Sequence, residues 1–450
     1  MKQRSSTGKK ETAYGYQAAV VCFYALLLLF MFGCVLYRGV TRGILGTDEE
    51  TNESAGNVDW AARYPFADSG ADRQDTAEDI EAVEQSRLTG LIDRYTGKVN
   101  GVKATLEWYC TDGFVWQQQC IEISALVNRL YRTDITRSAE ILVRLKNGYI
   151  TPPHQEIDTT LHAENVRSFA AFLEDEQIPL MYVESLFKVD RSDNDPLLYD
   201  DYSNRNADRL IEQLRADAGS MTIMDLRETV EQEGLNHYAL FFRTDTHWLP
   251  STGLWAAERI AGQINEIWGF DLDTTLLREE NYRSIYYPDQ WLGSSGRNVG
   301  LSYTGPEDFT LLVPDFSTDL TYTSEAAGIQ ASGSFEEALI DWSRLENRDY
   351  YGNSCYAAYM SGRQPLARIT NNMADNELRI LLLTDSFGTT VAPFLALTVE
   401  EIDFLDPRLF SGSLEEYIRQ SRPDAVVMMY NPEVITSVSP DSNDSIYMLR

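Results

Sequence analysis

Positive charge is scarce in this chain of 450 residues. Lys and Arg together number 38 against 69 Asp and Glu, which gives a formal net charge of −31. Proteins that bind nucleic acids derive much of their affinity from Lys and Arg residues that neutralise phosphates. The composition therefore argues against a nucleic-acid partner. It also disfavours docking on other polyanions, although a local basic patch would escape a count over the whole chain.

Cysteine and histidine are also rare, with five and four residues. No CxxC pair or Cys/His cluster has the spacing of a zinc site. We therefore expect neither a metal nor another cofactor. Cys110 and Cys120 could form a disulfide outside the cytoplasm, but the sequence alone does not decide the pairing.

Only one long apolar run is present, at residues 18–36, and it contains neither charge nor proline. Its length suits a bilayer-spanning helix, and basic residues precede it while acidic residues follow. We predict a cytoplasmic tail at 1–17, a transmembrane anchor at 18–37, a spacer at 38–90 and a domain outside the membrane, periplasmic or extracellular, at 91–450. A cleaved signal peptide is the competing interpretation, but no A-x-A-like site follows the run.

The rest of the chain alternates between helical and strand patterns. The pattern predicts helices at 161–176, 206–219 and 413–420, and strands at 178–185, 221–227, 378–384, 400–405 and 425–431. Such alternation favours an α/β fold with a parallel sheet flanked by helices. Residues 296–370 lack helical faces and are predicted to form an irregular or β insertion.

One of the four histidines lies in the sequence FFRTDTHW at residues 241–248. In an extended segment, side chains two positions apart point to the same side, so Asp245 and His247 would project together. A helix that we expect to end near Gly269 begins soon after them. The pair would then lie at the mouth of an element, accessible to a substrate.

A second polar motif ends a buried strand in LLLTDSFGTTVAPF, residues 381–394. Asp385 and Ser386 follow the strand, and Gly388 opens a turn into the next element. Ligands of open α/β sheets bind at the carboxyl ends of the strands. Main-chain N–H groups of such a turn suit a developing oxyanion.

Together the two motifs predict a nucleophilic triad. Ser386 would attack an acyl carbonyl, His247 would accept its proton, and Asp245 would orient the imidazole. Each motif alone is more often a surface pair, a cap or a turn. A metal site using the Asp-His pair lacks a third ligand. The triad also requires a turn, because neighbours two apart on a strand need not form a hydrogen bond.

Further motifs share their order with a known family: WAARYPF (60–66), KNGYI (146–150), YSNRNADR (202–209), DFLDPRLFSGS (403–413) and MMYN (428–431). With FFRTDTHW and LLLTDSFG, they resemble the SGNH-hydrolase-like proteins of the alginate O-acetylation type, especially the DHHW family of membrane-anchored bacterial proteins. Two differences stand out. That family usually shows two histidines where this chain has Thr246 and His247, and Thr384 precedes Asp385 in place of Gly or Lys.

The resemblance implies a flavodoxin-like SGNH-hydrolase core with Asp245, His247 and Ser386 as its triad. It also implies that Asn431 helps to form the oxyanion hole and that Arg408 occupies a frequent family position, where an ion pair with Asp406 or Asp403 is an equal alternative. The implied activity is transfer of acetyl groups to polysaccharide hydroxyls outside the membrane. A multispanning membrane O-acyltransferase would supply the acetyl group. A carbohydrate esterase with the same triad and a non-catalytic glycan-binding scaffold remain alternatives.

Overall fold

An eight-stranded mixed sheet lies at the centre of the fold. The computed structural model describes residues 117–137, 141–193, 200–436 and 445–449, all of which belong to a compact unit spanning Val99–Arg450. The predicted tail, anchor and spacer lie outside these ranges, so they stay predictions. Within the described ranges, no helix combines the length and the apolar character needed to cross a membrane.

The helices are α1 Gln117–Tyr131, α2 Thr160–Asp175, α3 Ser203–Ala216, α4 Leu226–Glu233, α5 Pro250–Trp268, α6 Ser294–Val299, α7 Leu301–Thr304, α8 Phe335–Leu339, α9 Ser343–Glu346, α10 Ala392–Leu395 and α11 Leu414–Ser421. The strands are β1 Ile135–Arg137, β2 Ile141–Arg144, β3 Ile150–Thr151, β4 Leu180–Glu184, β5 Thr222–Asp225, β6 Tyr282–Trp291, β7 Glu307–Pro314, β8 Leu320–Ser324, β9 Ile329–Gly333, β10 Leu366–Asn371, β11 Arg379–Thr384, β12 Glu401–Leu405 and β13 Ala425–Tyr430. Short 3₁₀ helices lie at His237–Leu240, Thr274–Leu277, Glu279–Asn281, Cys355–Ala358, Ser386–Thr390, Ala396–Thr398 and Pro432–Thr436.

The order of the central sheet is β5-β4-β13-β11-β12-β10-β8-β9. The first five strands are parallel, and the last three join antiparallel. The predicted parallel sheet is therefore confirmed for five strands and wrong for the three antiparallel strands at one end. The insertion contributes β8, β9 and β10 to the same sheet, and the alternating burial of β8 and β10 is typical of antiparallel strands with one covered face.

Helices cover both faces of the parallel strands, which explains why those strands read as continuous apolar runs. Successive residues of β4 enter opposite cores: Met181 and Val183 pack with α4, α5 and α10, whereas Leu180 and Tyr182 pack with α2, α3 and α11. The predicted helices and strands of this core are confirmed, with ends displaced by a few residues.

Two predicted helix ends are also confirmed. Helix α5 begins at Pro250 and ends before Gly269, whose φ of 69° lies in the left-handed region that glycine adopts without strain. The side chain of Ser413 caps α11 by accepting the N–H of Glu416.

The insertion contains more regular structure than its sequence suggests. Strands β6 and β7 pair as a separate antiparallel ribbon. Because β6 begins at Tyr282, the inserted β structure starts earlier than the predicted boundary at residue 296. Strands β4, β11 and β13 run parallel, so their carboxyl ends meet at one edge of the sheet, where the candidate site lies.

Candidate active site

The Asp245–His247 pair lies in a tightly closed loop. Phe241 bridges to Trp248, and the N–H of Phe242 donates to the carbonyl of His247 at 3.2 Å. The extended conformation predicted for this segment is therefore wrong, since the chain bends back between Phe241 and Trp248. The bend supplies the turn that the triad hypothesis requires.

Within the loop, the Asp245 carboxylate accepts hydrogen bonds on both oxygens. Oδ1 accepts the main-chain N–H of His247 at 3.1 Å, an Asx-type turn, and also contacts Nδ1 of the same imidazole. Oδ2 accepts the N–H of Ser294, the first residue of α6, at 2.7 Å. The carboxylate is thus held in one orientation by donors from two segments.

Opposing effects act on the charge of Asp245, whose side chain is only 3% exposed. Burial alone would raise the pKa of this carboxyl group. The charge of His247 and the hydrogen bonds from His247 and Ser294 outweigh burial, and they hold the pKa of Asp245 well below its usual range. The carboxylate therefore stays ionised at neutral pH. Since an ionised carboxylate only accepts, Nδ1 of His247 carries a proton, and in the neutral imidazole Nε2 is therefore the acceptor.

Nε2 of His247 lies 2.8 Å from Oγ of Ser386. Ser386 opens the 3₁₀ helix Ser386–Thr390, which only Asp385 separates from β11. The structure thus brings the predicted Asp245, His247 and Ser386 side chains into one hydrogen-bonded series. The imidazole is 17% exposed, so a substrate can approach it from solvent.

Asp385 fixes the turn that presents Ser386. Its carboxylate accepts the N–H of Phe387 and the N–H of Asn431, both at 2.8 Å, and so ties the end of β11 to the end of β13. Burial raises the pKa of Asp385, although the charge of Arg408 and the two N–H donors oppose the shift.

Gly388 has a steric role in the same turn. A Cβ atom at this position would overlap the side chain of Thr384, so a side chain cannot be added without moving the turn. The N–H of Gly388 donates to the carbonyl of Asp385 at 3.1 Å, so this N–H already has an acceptor within the protein.

Thr390, in the serine motif, forms a hydrogen bond with Trp248 of the histidine motif. Its hydroxyl accepts the indole N–H of Trp248 at 2.8 Å and lies 3.0 Å from the hydroxyl of Tyr356. The ring of Tyr356 stacks on the imidazole of His247, with centroids 4.0 Å apart and an interplanar angle of 16°. Sequence reasoning missed Tyr356 because it lies in the insertion, where no pattern marks it.

A buried lysine, which sequence reasoning also missed, supports the loop. Nζ of Lys188 donates to the carbonyl of Ile150 at 2.9 Å and to the carbonyl of Asp245. Burial lowers the pKa of Lys188 to about 8, while the charges of Asp245, Glu307 and Glu433 oppose the shift. A charged residue inside the apolar run LFKV was the available signal.

The remaining predicted residues lie beside the serine turn and have structural partners. The amide of Asn431 donates to the carbonyl of Leu186 at 2.9 Å. Arg408 forms a two-pronged ion pair with Asp406, at 3.0 and 2.8 Å. Of the two partners considered for Arg408, the structure therefore selects Asp406, because Asp403 pairs with Arg368.

No metal site is apparent in the part of the chain that the structure describes, since no group of His, Cys, Asp or Glu side chains there could hold an ion. The arrangement can instead carry out acid–base and nucleophilic chemistry. A hydroxyl, an imidazole and an ionised carboxylate lie in hydrogen-bonded order, with donors from the main chain around them.

Comparison with known proteins bears on the fold and family. Residues 158–288 match the family described as "SGNH hydrolase-like domain, acetyltransferase AlgX". The matched range includes Asp245 and His247 and ends before Ser386. The comparison with curated proteins finds no match.

Two solved structures share the fold. PatB1 from Bacillus cereus, solved with a sulfonyl adduct, has 17% identity and a TM-score of 0.56, covering 70% of this chain and 99% of that one. A DHHW family protein from Eubacterium siraeum has 14% identity and a TM-score of 0.52, covering 68% of this chain and 95% of that one. The predicted resemblance to SGNH-hydrolase-like and DHHW proteins is confirmed.

Proposed function

We propose that this chain, which carries an SGNH hydrolase-like domain of the AlgX type, is a serine-dependent O-acetyltransferase that acts on glycan hydroxyls. The observation that supports this most strongly is the 2.8 Å approach of His247 Nε2 to Ser386 Oγ, with Asp245 on the far side of the imidazole. The family match supports acetyl transfer in general, and the geometry supports a covalent acyl-serine route.

In the first half-reaction, Ser386 Oγ attacks the carbonyl carbon of an acetyl ester while His247 Nε2 accepts the hydroxyl proton. Asp245 keeps the proton on Nδ1 and stabilises the imidazolium that forms. When the tetrahedral intermediate collapses, the imidazolium protonates the departing donor oxygen. The products are acetyl-Ser386 and the free donor alcohol.

The oxyanion of that intermediate needs donors near Oγ. The main-chain N–H of Ser386 suits this role, because the first residue of a helix has no intrahelical acceptor for its N–H. Asn431 is a second candidate, since an amide nitrogen has two N–H groups and the contact with Leu186 uses one. Gly388 contributes by allowing the tight turn and not as a donor, because its N–H is engaged.

In the second half-reaction, a sugar hydroxyl attacks acetyl-Ser386 and gives up its proton to His247. The acetyl ester on the glycan forms, and the imidazolium of His247 protonates the departing Oγ, which regenerates Ser386. Water in place of the sugar would make the protein an esterase. Under the proposal, residues 18–37 anchor the chain, the domain lies outside the membrane, and a multispanning O-acyltransferase supplies the acetyl group.

Trapping the acyl-enzyme tests the proposal. The full chain in detergent is mixed with 4-nitrophenyl acetate, quenched within seconds and digested, and acetyl on the Ser386 peptide is measured by mass spectrometry. We expect acetylation that is lost in Ser386→Ala and His247→Ala. Equal turnover in all three proteins would refute the triad. Faster turnover on adding an oligosaccharide acceptor, with acetylated sugar as product, separates transferase from esterase.

A further inference from the structure

A small cavity outside the triad is lined mainly by basic side chains. It has a volume of about 310 Å³, and its lining residues are Arg129, Arg132, Arg144, Tyr303, Thr304 and Gly305. The arginines come from α1, the residue that follows it, and β2, so separate parts of the chain bring three guanidinium groups together. Such a concentration is unusual in a chain with a net charge of −31.

These guanidinium groups have no carboxylate partner among the described residues, whereas buried arginines of this domain, such as Arg227 with Asp225, form tight ion pairs. Arg129 donates to the carbonyl of Ser302 at 3.1 Å, and Arg144 lies over the ring of Tyr303 at 5.8 Å. Both contacts hold the side chains in place without neutralising them.

Among the described residues, two acidic side chains lie near the cavity, but neither forms an ion pair with the three arginines. The carboxylate of Glu122, on α1, accepts the N–H groups of Leu301 and Ser302 at 2.7 and 3.0 Å and is thereby engaged. Burial raises the pKa of Tyr303, the charge of Arg144 lowers it, and Asp134 raises it again. Asp134 therefore lies close to the cavity, but it makes no ion pair with the arginines.

The cavity wall adjoins the loop that carries Asp245. Gly305 is followed by Pro306, whose carbonyl accepts Nη2 of Arg243 at 3.2 Å, and by Glu307, whose carboxylate accepts the N–H groups of Arg243 and Thr244. Thr244 directly precedes Asp245. Gly305 in the cavity wall is therefore two residues away from the glutamate that holds the triad loop.

We propose that Arg129, Arg132 and Arg144 form a subsite for an anionic substituent, a carboxylate or a phosphate, of the glycan that the enzyme modifies. Guanidinium groups bind such oxyanions through paired N–H donors. The inference rests on the proposed function only in naming the glycan as acceptor. It also implies that the acceptor polymer is negatively charged, with the local basic patch overcoming the repulsion of the chain as a whole.

Binding can be measured independently of catalysis with the full-length Ser386→Ala chain in detergent. The probes are tetragalacturonate and its fully methyl-esterified form, which differ only in charge. We expect calorimetry at low salt to show at least tenfold tighter binding of the acid. The Arg132→Gln/Arg144→Gln double substitution should abolish that difference, while Arg278→Gln, at an arginine whose side chain is 56% exposed, should preserve it.

Equal affinity for the two forms, or a preference unaffected by the double substitution, would overturn the assignment. Helix α1 also exposes Leu126 and Leu130, so a lipid phosphate is the competing ligand. Arginine-dependent binding of glycerophosphoglycerol, a soluble lipid headgroup, without binding of tetragalacturonate would replace the glycan with a membrane surface. Arginine-dependent binding of the acid together with failed acetylation of Ser386 would refute the proposed reaction and leave the subsite intact.

Discussion

Replacing Asp245 by Asn tests whether its charge or only its hydrogen bonds matter. Oδ2 accepts the N–H of Ser294 at 2.7 Å, and Oδ1 accepts the N–H of His247 at 3.1 Å. An amide has only one acceptor oxygen, so one of these N–H groups would face an NH₂ group. If the oxygen stays with Ser294, the NH₂ group faces Nδ1 and forces the imidazole into the tautomer with its proton on Nε2.

That tautomer cannot accept the Ser386 proton. If the proposed triad operates, we expect Asp245→Asn to lower kcat for 4-nitrophenyl acetate by about 10³–10⁴-fold, close to the effect of the same change in a Ser-His-Asp protease. That factor corresponds to about 4–5.5 kcal/mol of activation free energy. The free energy of unfolding should fall by about 1–3 kcal/mol, since one buried donor loses its acceptor.

Asp385 provides a matched control. Its two oxygens also accept main-chain N–H groups, those of Phe387 and Asn431, and it is buried beside the nucleophile. Asp385→Asn should therefore cost similar stability, while its kcat should fall at least 100-fold less, because Asp385 does not contact the imidazole. Rates from stopped-flow absorbance and stability from urea unfolding decide the point. Equal losses of kcat in the two variants would refute the tautomer argument.

Three further predictions follow from the same surroundings. Because burial lowers the pKa of Lys188 to about 8, the unfolded chain holds an extra proton between pH 8 and about 10.4. The free energy of unfolding should therefore rise with pH in this range by up to about 3 kcal/mol. Calorimetry should show a flatter dependence of this free energy on pH for Lys188→Met. Tyr356→Phe keeps the stacked ring and should retain activity within a few fold, whereas Tyr356→Ala should lose about tenfold in kcat; equal losses would assign the effect to the hydroxyl. A Cβ at Gly293 would overlap the main-chain nitrogen of Asp245, so Gly293→Ala should reduce esterase activity at least tenfold. Gly262→Ala on α5 is the control, because the space around Gly262 is open and the activity should stay unchanged.

The sequence carries enough information for the core and the two motifs. Strands β4, β11 and β13 are mostly apolar, and Ser386 lies two residues after the end of β11. The position of a polar motif after a buried strand is a local property that periodicity detects. The same approach predicted the α5 end at Gly269, because a glycine after a helical face is a local stop signal.

Contacts between distant segments were missed where no motif marked one of the partners. Tyr356 reaches His247 from the insertion, 109 residues further along the chain, and Ser294 reaches Asp245 across 49. No period in the sequence encodes such contacts. The antiparallel strands β8 and β10 were missed for a related reason. Short alternating segments rich in Thr and Tyr resemble loops in sequence, and only their pairing with β12 and with each other identifies them as strands.

The insertion is part of the candidate site and not only an addition to the α/β core. The core supplies Ser386 at the end of β11, but much of the support for the Asp245–His247 loop comes from inserted residues. Ser294 donates to the carboxylate, the ring of Tyr356 stacks on the imidazole, and Glu307 accepts the N–H groups of the two residues before Asp245. A chain with both sequence motifs but a shortened insertion should therefore present its serine correctly and fail to orient its histidine. The two motifs supply the three side chains of the proposed triad, and the inserted residues between the motifs orient the histidine.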